Sequence, residues 1–149
     1  MNHKVNEIKI SYRERVAIQS MPRICCASDA AKFLFKHWDK DSIGFQESFK
    51  VLLLNNTNRL KGVYEISKGS ITGTVVDLRI LFAIVLKSLT VSIVLAHNHP
   101  SGNLMASGAD IELTAKIKNA ADFLDIKILD HIIIAPDGGF YSMADNGLI

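Results

Sequence analysis

The run Val91-Ser92-Ile93-Val94-Leu95-Ala96 stops at a His-Asn-His-Pro tetrad, and this junction limits the chain more than any other feature. A short apolar run bounded by turn residues reads as an interior strand. His97 and His99 are two apart, so in an extended chain they point to the same side. Pro100 keeps His99 away from helix, Gly102 permits a tight reversal, and Ser107 opens a helix with Asp110 in its first turn. A strand end and a helix start joined by such a loop can bring two imidazoles and one carboxylate around a point. Two histidine nitrogens and a carboxylate oxygen form a zinc ligand set, and three protein ligands leave one position free, the mark of a catalytic site. Zinc lowers the pKa of water held there to about 7 and can polarise a carbonyl. The same residues also have plainer explanations. Ser107 and Asp110 form an ordinary S-x-x-D helix start, and His97 and His99 fit a polar strand end. The capping reading does not exclude ligation, because a carboxylate in the first turn still favours the helix dipole.

The rest of the chain supplies a scaffold. Glu7 to Tyr12 alternates polar and apolar residues, as a half-exposed strand does, and the stretch after it, to residue 27, is irregular. Residues 1–27 therefore read as an N-terminal extension with one strand, and 28–149 as a single domain. Ser28-Asp29 offers a cap for a helix to about Lys40. Glu47 to Leu54 and Gly62 to Ser67 read as a hairpin around the turn residues Asn55 to Asn58. Asp77 to Lys87 is apolar on most sides and predicts a well-buried helix. Ser107 to about Leu124 reads as a helix with Leu113, Ile117, Ala120, Ala121 and Leu124 on one face. Ile126 to Ala135 is a strand, and Gly138-Gly139 turns into a last strand at Phe140-Tyr141-Ser142. Alternating strands and helices give an α/β or α+β class with a mixed sheet.

The spacing His-x-His-Pro, six residues, Ser, two residues, Asp resembles the motif of JAMM (MPN+) metalloprotease domains. More narrowly, His97 to Gly102 is similar to the HNHPSG stretch of the bacterial RadC family. Asp110-Ile111-Glu112-Leu113-Thr114 matches that family's D-x-x-L-T. Asp130 to Ile133 matches its DHIII-like segment, Tyr141-Ser142 its terminal Y-S, and Glu47-Ser48-Phe49 its E-x-F. The likeness covers about residues 28–145. It implies a mixed, curved sheet flanked by helices, of the JAMM type that resembles cytidine deaminases. It also implies a zinc-dependent hydrolase of peptide or isopeptide bonds. His97, His99 and Asp110 would be the metal ligands, Glu47 the general base and acid, and Ser107 a donor to the oxyanion. Three departures stand out. Longer family members carry an N-terminal helix-hairpin-helix region, and the short stretch before the first helix here is expected to lack it. Ala106 stands where proline is frequent, and Asp77-Leu78-Arg79-Ile80 where D-P-R-E is frequent.

Composition sets the outer bounds. A chain of 149 residues with 48% apolar and 21% charged side chains has the make-up of one globular domain. The longest apolar run, Ile80 to Leu86, falls far short of the roughly 20 residues of a membrane helix. The first residues show no secretory pattern, so the expectation is a cytoplasmic protein without membrane partners. Adjacent Cys25 and Cys26 read as two partly buried thiols rather than a disulfide or a zinc knuckle. His3 and His37 read as surface residues. His131, with Asp130, is a candidate for holding a metal ligand from behind, the alternative being a satisfied histidine at a sheet edge. A peptide or protein is the expected partner. Two other classes compete: a DNA-associated factor, from the repair label of the RadC family, and a non-catalytic MPN scaffold. A net charge of +2 argues little for DNA, and a homodimer is compatible with the sequence without being required by it.

Overall fold

A computed structural model describes residues 5–9, 11–71 and 73–149. Its elements are α1 (Ala27–His37), β1 (Ser48–Leu54), β2 (Leu60–Lys68), α2 (Leu78–Lys87), β3 (Ser92–Asn98), α3 (Gly108–Phe123), β4 (Lys127–Ile134) and β5 (Phe140–Ser142), with one 3-10 turn at Ile18–Ser20. The strands form one mixed sheet in the order β2-β1-β3-β4-β5. Only β3 and β4 run parallel, with α3 as the crossover between them; the other neighbours are antiparallel.

Period-two alternation divides the core. Leu52, Leu54, Val94, Ala96, Ile132 and Ile134 face α1 with its Ala30, Ala31 and Leu34. Phe49, Val51, Leu53, Ile93 and Leu95 face the opposite way, against Leu81, Phe82 and Val85 of α2 and Ile117 and Ala121 of α3. Strand β3 is buried along its whole length, as a central strand covered on both faces must be. Its last residues leave the sheet at the carboxyl end of the parallel pair, where open α/β sheets characteristically place their ligands.

The β1–β2 hairpin closes through Asn55, whose Oδ1 accepts from Thr57 N–H, Thr57 Oγ1 and Arg59 N–H. Helix α2 is capped by Asp77, which accepts from Arg79 N–H. Its burial differs from expectation. Leu81, Phe82 and Val85 are enclosed, but Ile80 and Leu86 remain almost half exposed, because they lie on the sides of the helix turned away from the sheet. Arg79 does not enter the fold; its guanidinium pairs with Asp77 at the surface.

The N-terminal strand does not form. Residues 7–9, 11 and 12 carry no strand, Ile8 is exposed, and Ile10 lies outside the described residues. Alternation suits a pleated ribbon only when a partner strand is present, and among the described residues none pairs with this segment. Helix α1 begins at Ala27, and Asp29 bonds back to Cys25 N–H rather than capping through Ser28-Asp29. Cys25 and Cys26 are both exposed free thiols, not partly buried ones, because they precede the packed face of α1. His37 is at the surface and His3 lies outside the described residues. Among the described residues no helix is long and apolar enough to cross a membrane.

Candidate metal centre

The carboxyl end of β3 carries His97 into the interior, beside the start of α3. Phe49 is its register partner on β1 and Ile133 on β4. The Phe49 ring lies nearly parallel to the His97 imidazole at 6.1 Å and edge-on to His131 at 5.4 Å, walling the site from the core. Beyond β3, His99 N–H donates to Ile134 C=O, extending the ladder by one residue. Gly102, at φ 80°, then turns the chain back, its N–H donating to His99 C=O. A side chain would strain that left-handed conformation.

Helix α3 starts with a reciprocal capping box. Ser107 Oγ accepts from Asp110 N–H at 3.1 Å, while Asp110 Oδ2 accepts from Ser107 N–H at 2.8 Å. The plain helix-start reading is therefore correct, and it leaves the other face of the Asp110 carboxylate free. Oδ1 lies 3.3 Å from His97 Nε2, and Oδ2 lies 3.5 Å from His99 Nε2. The two Nε2 atoms are 2.9 Å apart. Glu47 closes the group: one ligand atom from each of Glu47, His97, His99 and Asp110 lies within 4.8 Å of all the others.

Proton positions follow from which atoms lack hydrogens. Asn103 C=O can only accept, so its 2.6 Å contact with His99 Nδ1 places a proton on Nδ1 and leaves Nε2 as the nitrogen that faces the group. Two imidazole nitrogens and a carboxylate then converge on one point, a group that could hold a metal ion. The charges adjust accordingly. The Asp110 carboxylate raises the His99 pKa above its ordinary value, against the cost of burial. Burial also opposes ionisation of Asp110, but hydrogen bonds from both imidazoles and from Ser107 N–H override it and hold that carboxyl far below the usual range. Glu47 moves the other way. Its half-buried position raises its pKa, and the nearby imidazoles only partly offset that.

Asn98 sits between the two histidines and faces the opposite side of the strand. Its side chain accepts from Ser48 N–H at 2.7 Å and donates to Ile43 C=O and Gln46 C=O at 2.8 Å each. The residue that separates the histidines thus fastens the segment bearing Glu47. His131 bonds His97, as its second-tier reading anticipated, but it lies in interior strand β4 with no exposed surface, not at a sheet edge. Asp130 does not take part. It faces away, accepting from Ser142 Oγ, His131 N–H and Ala144 N–H. In the sequence Thr114 stands only as the end of the D-x-x-L-T segment; its position one turn after Asp110 is the signal that puts it beneath the site.

The group opens onto a cleft of about 760 Å³ lined by Glu47, His99, Ser107 and Asp110 and by apolar Ile71, Pro100, Met105 and Ala106. The domain is a mixed α/β fold that presents, at a strand end open to solvent on one side, a group of two histidines and two carboxylates that could hold a metal ion. Residues 24–148 match the family described as RadC-like JAB domain, and the chain belongs to that family. It is 47% identical over 102 residues to a UPF0758 protein of Flavobacterium johnsoniae, covering 68% of this chain and 44% of that one. A UPF0758 protein of Porphyromonas gingivalis is 39% identical over 104 residues, 70% of this chain and 46% of that one. One from Clostridium beijerinckii is 35% identical over 138 residues, 93% of this chain and 58% of that one. The chain thus spans about half the length of these curated relatives.

Proposed function

We propose that this chain is a zinc-dependent amide hydrolase acting on a peptide or isopeptide bond. The observation that carries the reading is the convergence of two Nε2 atoms and the Asp110 carboxylate beside Glu47, at the floor of an open cleft. The donor set fits zinc: two imidazoles and one carboxylate are borderline ligands, and three protein ligands leave room for substrate. When bound, zinc would acidify a water molecule and polarise the scissile carbonyl.

His97, His99 and Asp110 would hold the ion. Glu47 is the proton carrier in this reading. It sits at the cluster, and among the described residues none hydrogen-bonds its carboxylate; its raised pKa brings it nearer the range where a base can take a proton and return it to a leaving amine. The Ser107 Oγ accepts from Asp110 N–H, so its own proton is available to charge developing on the carbonyl oxygen. The apolar residues around the cleft exclude water from the flanks of a bound chain.

Glu47→Gln and wild type, each loaded with zinc, can be compared on a library of peptides and isopeptide-linked conjugates. The expected result is equal zinc content and hydrolysis by wild type alone. Loss of zinc in Glu47→Gln would mean that Glu47 is a ligand, and hydrolysis undiminished by the substitution would overturn its role.

A further inference from the structure

Behind the candidate metal centre lies a continuous line of buried hydrogen bonds. Thr114 Oγ1 is 2.6 Å from Asp110 C=O and 2.6 Å from His131 Nδ1, and His131 Nε2 is 2.8 Å from His97 Nδ1. Thr114 and His131 are 2% and 0% exposed, so no solvent competes for these contacts.

The protons along this line can be placed only one way. A carbonyl has no hydrogen to give, so the contact between Thr114 Oγ1 and Asp110 C=O uses the single threonine proton. Thr114 must then accept from His131, which puts the proton of that ring on Nδ1. His131 has no exposed surface, and among the described residues no carboxylate touches either of its ring nitrogens, so the ring carries one proton only; its Nε2 is an acceptor and takes its hydrogen bond from His97 Nδ1–H. His97 Nε2 is then the ring nitrogen that faces Asp110 and His99.

We infer that Thr114 and His131 are positioning residues that fix the ligating tautomer of His97. Asp110 thus serves twice, its carboxylate at the metal point and its carbonyl as the fixed end of the relay. The two ends of the line meet at His97 and Asp110, so a change of tautomer anywhere along it would break a bond at the site. Where a histidine ligand loses the partner of its other nitrogen, metal affinity falls about 10–100-fold. The consequence for metal binding rests on the hydrolase reading above; the tautomer itself does not.

Thr114→Val and Thr114→Ser separate this role from packing. Valine keeps the shape and removes the hydroxyl, and serine does the reverse. Zinc alone, titrated against a competing chelator, is expected to bind Thr114→Val about 10–100-fold more weakly and Thr114→Ser as in wild type. Heteronuclear NMR of the imidazole nitrogens in the metal-free protein is expected to show His97 protonated at Nδ1 in wild type and in Thr114→Ser, and mixed in Thr114→Val. Unchanged zinc affinity in Thr114→Val, a larger loss in Thr114→Ser, or a wild-type His97 without a proton on Nδ1 would overturn the inference. A wild type that binds no zinc would refute the hydrolase reading, and the NMR result would still decide the relay.

Discussion

Replacing Asn98 with alanine tests how the Glu47 segment is held. Asn98 has no exposed surface and makes three side-chain hydrogen bonds of 2.7–2.8 Å, to Ser48 N–H, Ile43 C=O and Gln46 C=O. A buried polar group left without its partner costs about 1–3 kcal/mol. The two carbonyls each keep a second lone pair and Gln46 is near solvent, so each costs about 1 kcal/mol, and the full range applies to Ser48 N–H alone. The expected loss is about 3–5 kcal/mol, out of a total that for single domains is about 5–15 kcal/mol. For a chain of this length that corresponds to a fall in Tm of roughly 6–20 °C. Urea unfolding followed by circular dichroism gives the free energy, and a thermal scan gives the second figure. Zinc affinity should change far less, because the imidazoles project from the other face of β3, whereas hydrolysis should fall as Glu47 loses its anchor. A stability loss below about 1 kcal/mol, with the denaturant slope unchanged, would refute the claim that Asn98 clamps the segment.

Phe49→Ala removes a ring 2% exposed that lies against both His97 and His131, and should cost about 3–5 kcal/mol in the same unfolding assay. Asp77, hydrogen-bonded to Arg79, should titrate at about 2 by carboxyl NMR, and Arg79→Leu should move that midpoint up toward the usual range. Because its folded pKa is depressed, any stability it adds is present above the ordinary aspartate value and fades as pH falls toward 2. His99 has the opposite sign. Its raised pKa adds stability to the metal-free protein below the ordinary imidazole value of about 6.5, and that stability is lost as pH rises through the folded value. Zinc competes with the same proton, so calorimetry should show affinity climbing with pH and levelling off above the His99 midpoint.

Much of the site was legible because its elements are local. A strand ending in His-x-His-Pro, a glycine reversal and an S-x-x-D helix start lie close together in the chain, and each follows from backbone preference. The sheet residues were legible for a similar reason, since period-two burial of Phe49, Val51 and Leu53 is already visible as an apolar run. What could not be read is what depends on distant neighbours. The Glu7 to Tyr12 alternation had no means of showing that no strand pairs with it. The apolar girth of α2 did not reveal that one side of the helix is left uncovered. Asn98 alternates with the histidines along the chain, but its contacts with Ile43 and Gln46 are more than fifty residues distant in sequence. The Thr114–His131–His97 line joins α3, β4 and β3, and only the register of the parallel pair brings those three side chains together.

Metal content of the purified protein, measured by mass spectrometry after zinc loading and removal of loosely held ions, tests the central claim most directly. One zinc per chain in wild type, lost in His99→Ala and retained in Glu47→Gln, is the predicted result. A wild type without bound zinc, or a His99→Ala variant that holds as much as wild type, would contradict it.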